Sequence, residues 1–268
     1  MKTDRILALE LGTNGIHMAV FTSTACDGPR LLDSGFAEFS ADAPAELPRE
    51  AVVAMTLKRL LEGRQPGTKR TRISIEGSAV FSRLVKLPMV GKDQLERTIR
   101  HEAVQNIPFP IDEVVWDAHV IDPDASEPEV LLVAVKADLV EGLVHAVQAN
   151  GLAIEKIGVA PVALANAVRS SEEFGGPVLL LDAGNESSTL VFIDGARTFF
   201  RTLPIAGNET DRLAVEIERS ITFYRSRQQG RAPERVLTEG HIAVALGDRL
   251  SIPVDPATCS VCRGLAVD

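Results

Sequence analysis

The chain has 268 residues, with 28 Lys or Arg and 37 Asp or Glu, so its formal net charge is −9. This acidic balance argues against a dedicated nucleic-acid binder, which needs clustered cations, and 10 Phe, one Trp and one Tyr are few for stacking on single strands. The sequence has no run of about 18 apolar residues that would predict a membrane-spanning helix. The composition indicates a globular protein, long enough for two units.

The amino terminus and the cysteines both suggest a cytoplasmic protein. The first apolar run is short, is broken by Glu10 and is followed by no small-residue cleavage site, which argues against a signal peptide. Three cysteines are typical of a reducing compartment. Cys259 and Cys262 form one C-x-x-C, which without a second pair or a nearby His is half of a zinc site. We therefore expect no bound metal.

Apolar patterning predicts alternating strands and helices along the chain. The predicted strands are 5–11, 16–22, 31–39, 72–76, 81–87, 114–121, 130–136, 154–158, 177–182, 189–193 and 197–203. The predicted helices are 48–62, 92–106, 138–150, 160–170 and 211–229. The order strand, glycine turn, strand, strand, helix occurs twice, starting near Arg5 and near Pro177. This pattern indicates a duplication on the scale of a domain.

Two similar glycine turns follow the first strand of each copy. In each turn a carboxylate, Glu10 or Asp182, precedes a small residue and a glycine. Glycine lets backbone N–H groups approach an anion closely, and carboxylates can hold Mg²⁺ directly or through water. The pair of turns predicts a site for the phosphates of one nucleotide. The candidate residues are Glu10, Gly12, Thr13, Asn14, Asp182, Gly184, Asn185, Glu186 and Ser187.

Three stretches resemble the PilM family of the actin-like ATPase superfamily. They are LALELGTNGIHMAVF at 7–21, KLPMVGKDQLERTIRHEAVQNIPFPIDEVVWDAHVI at 86–121, and LLLDAGNESSTLVFIDGARTFFRTLPIAGNE at 179–209, followed by LAVEIERSITFYR at 213–225. The middle stretch is the most specific, because other actin relatives lack it at this place.

The resemblance implies an α/β fold of the actin-like (ribonuclease H-like) type, duplicated, with an inserted subdomain IC and a truncated second domain. Residues 1–78 and 151–174 would form subdomain IA, 79–150 subdomain IC, and 175–268 subdomain IIA. Gly207 is followed almost at once by the predicted helix at 211–229, which leaves no room for subdomain IIB. We therefore expect IIB to be absent.

The resemblance also implies a role in a type IV pilus or related secretion machine. PilM-like proteins form a cytoplasmic platform at the inner face of the inner membrane. They bind the cytoplasmic N-terminal tail of the membrane protein PilN in a groove associated with IA and IC, alongside other pilus components. Ile107 and Phe109 either line that groove or fill the core beneath the preceding helix, and both interpretations stay open.

Two basic clusters are candidates for a contact with the membrane surface. They either face anionic phospholipids or are solvated charges of a loop and a helix end. The clusters are Lys69, Arg70 and Arg72, and Arg225, Arg227, Arg231 and Arg235.

The nucleotide site departs from the family pattern. The adenosine loop keeps one glycine, Gly240, and Glu239 adds negative charge there, while His17 replaces the lysine common at the first turn. The absent IIB would also remove one wall of the adenosine site. We therefore predict a scaffold that has lost nucleotide binding or binds weakly, a pseudo-ATPase with no catalytic residue.

Two alternatives remain. One is a PilM-like protein that binds ATP with Mg²⁺ and switches conformation with low ATPase activity. The other, a small-molecule kinase of the same superfamily, needs two complete domains and is the least supported.

Overall fold

The computed structural model describes residues 4–23, 28–40, 46–88, 91–121, 128–170, 176–257 and 260–267. Its strands are β1 (Asp4–Leu11), β2 (Gly15–Ser23), β3 (Arg30–Glu38), β4 (Arg70–Ile75), β5 (Phe81–Lys86), β6 (Val114–Ile121), β7 (Glu129–Lys136), β8 (Ala153–Val159), β9 (Val178–Ala183), β10 (Ser188–Asp194), β11 (Arg197–Leu203), β12 (Arg235–Thr238) and β13 (Val254–Pro256). Its helices are α1 (Arg49–Leu61), α2 (Lys92–Asn106), α3 (Ala137–Gln148), α4 (Ala160–Arg169), α5 (Thr210–Arg227), α6 (Gly240–Gly247) and α7 (Val261–Val267).

The strand order confirms the predicted duplication and the α/β class. One sheet has the order β3-β2-β1-β4-β8 and the other β11-β10-β9-β12-β13, so the two have the same topology. In each, a hairpin pairs the first two strands antiparallel, and a later strand joins parallel to the first. A third, antiparallel sheet has the order β5-β7-β6. Every predicted element is present, with its ends displaced by at most two residues.

The chain divides into two compact units. Unit 1 comprises residues 1–77, 139–174 and 259–268, and unit 2 comprises 78–138 and 175–258. Helix α7, and α3 from Leu139 onwards, therefore belong to unit 1, and the three-stranded sheet and the first two residues of α3 belong to unit 2. The subdomain boundaries named above remain a prediction.

Unit 1 is completed by the last helix of the chain. Helix α7 packs against α4 and against the central strands β1, β2 and β4. The approach is close because Gly264 has no side chain: a Cβ there would lie 1.7 Å from the carbonyl oxygen of Ala163. Arg72 donates a 2.8 Å hydrogen bond to the carbonyl of Leu265 at the end of α7. The sequence pattern did not predict this helix, which has seven residues.

Cys262 of the C-x-x-C lies in α7, and its partner Cys259 lies outside the described residues. The Cys262 thiol is buried and lies 3.7 Å from the carbonyl oxygens of Ala8 and His17. Burial and the nearby charge of Glu10 raise the pKa of this thiol above its ordinary value. Among the described residues, no group of three His, Cys, Asp or Glu side chains could hold a metal ion. Cys262 is therefore a core residue of unit 1.

Unit 2 combines the second five-stranded sheet with the three-stranded sheet. Phe192, Phe199 and Tyr224 stack in the core between the larger sheet and α5. Arg197 on β11 makes two hydrogen bonds, of 2.7 and 3.0 Å, to the carboxylate of Glu129 on β7. Because both side chains are mostly buried, this pair ties the two sheets together. Of the helices in the described ranges, none is long and apolar enough to cross a membrane.

Candidate functional site

The first glycine turn joins β1 to β2 in unit 1. The amide of Gly12 donates to the carbonyl of Gly15 at 3.0 Å, and Thr13 and Asn14 are exposed at the tip. The amide of Phe39 donates to the carbonyl of Asn14 at 2.8 Å, which fixes the turn from the side of β3. Backbone hydrogen bonds, one within the turn and one from Phe39, therefore fix its conformation.

A cation that the sequence analysis missed lies at this turn. Arg49, the first residue of α1, donates to the carbonyl of Gly12 at 3.2 Å and to the carboxylate of Glu76 at 2.8 Å. The sequence signal for Arg49 was its position directly after Pro48, at the start of a helix. Arg49 lies 37 positions after Gly12 in the chain, so this signal does not indicate the contact between them. Glu76 neutralises the guanidinium of Arg49. Arg49 therefore does not take the place of a lysine that binds phosphate.

Glu10 and His17 lie opposite each other on β1 and β2. Glu10 is half-buried and neighbours Ser74 on β4. The His17 ring packs beside Phe36, with 4.3 Å between ring centroids. The residue at the family's lysine position thus contacts an aromatic ring of β3.

The second glycine turn joins β9 to β10 in unit 2 and repeats the first. The amide of Gly184 donates to the carbonyl of Ser187, again at 3.0 Å, and the carbonyl of Gly184 accepts from Gly207 at 2.8 Å. Asn185 and Glu186 are exposed at the tip and Ser187 is half-buried. A Cβ at Gly184 would lie 2.6 Å from the carbonyl oxygen of Ser187, so this position requires glycine.

A pocket of about 350 Å³ lies beside the second turn, within unit 2. It brings together the turn, the loop after β11 and the start of α6. Two predicted site residues line it, Gly184 and Asn185, and a third, Gly240, directly precedes its lining residue His241. The full lining is Ala183, Gly184, Asn185, Gly207, Asn208, His241 and Ile242. The other five lining residues were not predicted as site residues: Ala183, Gly207, Asn208, His241 and Ile242.

The charges around this pocket are negative. Burial and the nearby charge of Glu239 raise the pKa of Asp182 from 3.8 to about 6. Although protein atoms surround its carboxyl group, Asp182 keeps part of its surface in contact with water, which moderates this pKa shift. Glu239 lies 3.7 Å from the imidazole of His241, and both side chains are mostly exposed. No described residue that lines the pocket is Lys or Arg.

Mg-ATP is the cofactor that the resemblance to actin-like ATPases implies for these turns. The lining offers two carboxamides, an imidazole and backbone groups, all without a fixed positive charge. The charged groups described beside the pocket are the carboxylates of Asp182 and Glu239, which repel a phosphate that carries no Mg²⁺. The described lining of this pocket therefore supplies no cation for the phosphates of a triphosphate, although the turn geometry suits them.

Ile107 and Phe109 have different places in unit 2. Ile107 is 5% exposed and belongs to the core under the three-stranded sheet. Phe109 is 41% exposed and lines a second pocket, of about 310 Å³. The rest of that lining is Glu113, Val114, Lys136, Ala137 and Asp138. Of the two predicted partner-binding residues, Phe109 alone presents its side chain at a pocket.

The two basic clusters are largely neutralised within their own units. Four of the seven cations form ion pairs with nearby carboxylates: Arg70 and Arg72 with Glu155, Arg231 with Asp194, and Arg235 with Asp255. Arg225 and Arg227 are exposed in the last turn of α5. These pairings favour solvated surface charges over a continuous lipid-binding patch.

Comparison with known proteins identifies the family. The family model described as type IV pilus assembly protein PilM matches residues 43–222. The chain is also similar to the solved structure described as a PilM-PilN type IV pilus biogenesis complex, with a TM-score of 0.81 and 23% identity, over 98% of this chain and 90% of that chain.

Two further solved structures have the same fold at lower similarity. The cytoplasmic domain of EpsL, an inner-membrane component of the Vibrio cholerae type II secretion system, has a TM-score of 0.57 and 12% identity over 98% of this chain and 93% of that one. A Bacteroides thetaiotaomicron protein with an actin-like ATPase fold has a TM-score of 0.55 and 10% identity over 95% and 91%. These likenesses confirm the predicted actin-like fold. Because the family model covers more than half of the chain, the chain belongs to the family of the type IV pilus assembly protein PilM.

Proposed function

We propose that this protein is a cytoplasmic scaffold of a type IV pilus or related secretion platform. It binds the cytoplasmic N-terminal tail of a PilN-like protein and is held at the inner face of the inner membrane through that partner. The observation that carries this proposal is the likeness, over 98% of the chain, to a structure described as a PilM-PilN complex. Membership of the PilM family supports it.

The pocket beside Phe109 is where we place the contact with the tail. It joins an exposed aromatic ring to three charged side chains, those of Glu113, Lys136 and Asp138. An extended peptide presents alternate side chains to such a surface, so an apolar residue of the tail can contact Phe109 while its neighbours meet the charges. Ile107 supports this surface from the core.

We also propose that nucleotide binding is lost or weak. The absence of Lys and Arg from the described lining of the 350 Å³ pocket supports this, as does the short link of six residues between β11 and α5, which has no room for subdomain IIB. The alternative, a protein that binds ATP and switches conformation, draws support from the two preserved glycine turns. The experiment below separates the two.

The test is a calorimetric titration with a synthetic peptide of the PilN-like tail from the same organism. We expect Phe109→Ser to weaken peptide binding at least tenfold, because burying a Phe side chain contributes about 1.5–3 kcal/mol. Val104→Ser is the matched control, since Val104 is also exposed on this part of unit 2 but is not among the described residues that line the pocket. Equal affinity of both variants and the wild type would refute the Phe109 contact.

A second titration with Mg-ATP tests the nucleotide proposal. We expect no binding at ATP concentrations up to about 1 mM, and no thermal stabilisation, since a ligand at 100 times its Kd would add about 2.7 kcal/mol. A Kd below about 100 µM would support the switching alternative instead.

A further inference from the structure

We propose that Glu239 is the residue that excludes anionic ligands from the 350 Å³ pocket. This inference rests on the proposed weak nucleotide binding and assigns its cause to one carboxylate. Two other causes compete with it. One is loss of the backbone geometry that phosphates need, which the structure argues against, and the other is the lack of Lys and Arg in the described lining, which removal of the Glu239 charge tests.

The backbone around the pocket is still suited to an anion. The turns at Gly184 and Gly207 are ordered by hydrogen bonds and lie in the pocket wall. Helix α6, with eight residues, begins at Gly240 beside the pocket. The N–H groups at a helix start carry a partial positive charge that attracts anions. The framework alone therefore gives no reason to reject phosphate.

Glu239 is the residue at the N-cap of α6, yet its carboxylate does not cap the helix. The side chain makes no hydrogen bond to the helix amides and is 68% exposed. The carboxylate lies 3.7 Å from the imidazole of the lining residue His241. A full negative charge thus lies at the helix end whose partial positive charge would attract an anion, and it opposes that attraction.

The charge of Glu239 also acts on Asp182, the residue before Ala183 of the lining. It is one of the two causes that raise the pKa of Asp182. The N-cap position of Glu239 and its distance of 3.7 Å from the lining residue His241 indicate that negative charge is unfavourable in the pocket, and the effect on Asp182 agrees with them.

The experiment compares Glu239→Gln with the wild type by NMR titration, which measures weak binding. The probes are inorganic pyrophosphate and ATP, each without Mg²⁺ at low salt. We expect the affinity of Glu239→Gln for both probes to rise about tenfold, as removal of one charge a few ångströms away predicts. The gain should shrink at about 0.5 M NaCl, where charges are screened. Carboxyl NMR should show a lower pKa for Asp182 in the variant.

Glu96→Gln is the matched control, because it removes one exposed negative charge from α2 of the same unit, and Glu96 is not among the described residues that line the pocket. No gain in Glu239→Gln beyond that of Glu96→Gln would overturn this inference and leave the proposed function intact. Weaker Mg-ATP binding by Glu239→Gln would also overturn it, because Glu239 would then act as a ligand. Tight ATP binding by the wild type would refute both the proposed weak binding and the exclusion of anions by Glu239.

Discussion

The turn at 12–15 in unit 1 and the turn at 184–187 in unit 2 close with the same hydrogen bond, 3.0 Å from a glycine amide to a carbonyl three residues on. Their surroundings differ. At the first turn Arg49, paired with Glu76, donates a hydrogen bond to the backbone, whereas the second turn borders an open pocket with carboxylates near it. Duplication has kept the backbone, and the charges around each copy have diverged. Fold and ligand chemistry are therefore separate properties of this chain.

The two copies also differ in how their sheets are completed, and the largest effect we expect tests this difference. Helix α7 covers the sheet of unit 1 at Gly264, where any Cβ would meet backbone. We expect Gly264→Val to destabilise the protein by about 3 kcal/mol or more, since two helices would have to separate. Urea denaturation measures it.

Gly247→Ala is the control for that variant. A Cβ at Gly247 of α6 meets no atom within 4 Å, so this change should be neutral or slightly stabilising. A Gly264→Val protein as stable as the wild type would mean that α7 does not pack on α4 as described.

A smaller effect compares the two turns directly. A Cβ at Gly184 would lie 2.6 Å from a backbone oxygen, whereas one at Gly12 would lie 3.4 Å from the equivalent oxygen, an ordinary contact. We therefore expect Gly184→Ala to cost about 1–2 kcal/mol and Gly12→Ala less than about 0.5 kcal/mol. Thermal unfolding of both variants, side by side, gives the difference. Equal costs would show that the second turn relaxes as easily as the first.

Most of the fold could be predicted because its signals are local. The alternating strands and the helices of 10 or more residues were all recognised, and the glycine turns indicated the duplication. The elements after residue 230 were missed because they are short: β13 has three residues and α7 has seven. Short segments carry too few residues to show a period.

The candidate site was predicted in part for the same reason. Gly184, Asn185 and Gly240 belong to turn motifs, which are readable from neighbours in the chain. Arg49 and Asn208 reach their places through tertiary structure, 37 residues from Gly12 in the first case, and no spacing rule indicates them. The exposure of Phe109 and the burial of Ile107, two residues apart, also depend on which face packs on the three-stranded sheet.

The smallest effect we expect concerns charge at the second turn. The pKa of Asp182 is raised to about 6 in the folded protein, so the folded state holds this proton more tightly than the unfolded state, where the pKa is near 3.8. The resulting stabilisation is full below about pH 4 and is lost as the pH rises through about 6.

Asp182→Asn does not titrate, so its melting temperature should rise relative to the wild type between pH 4 and pH 7. The change should be small, because Asp182 stays exposed to solvent. In a Glu239→Gln background the same substitution should have less effect, since one cause of the shift is gone. A pH-independent difference between wild type and Asp182→Asn would show that the carboxylate at the second turn is not strained.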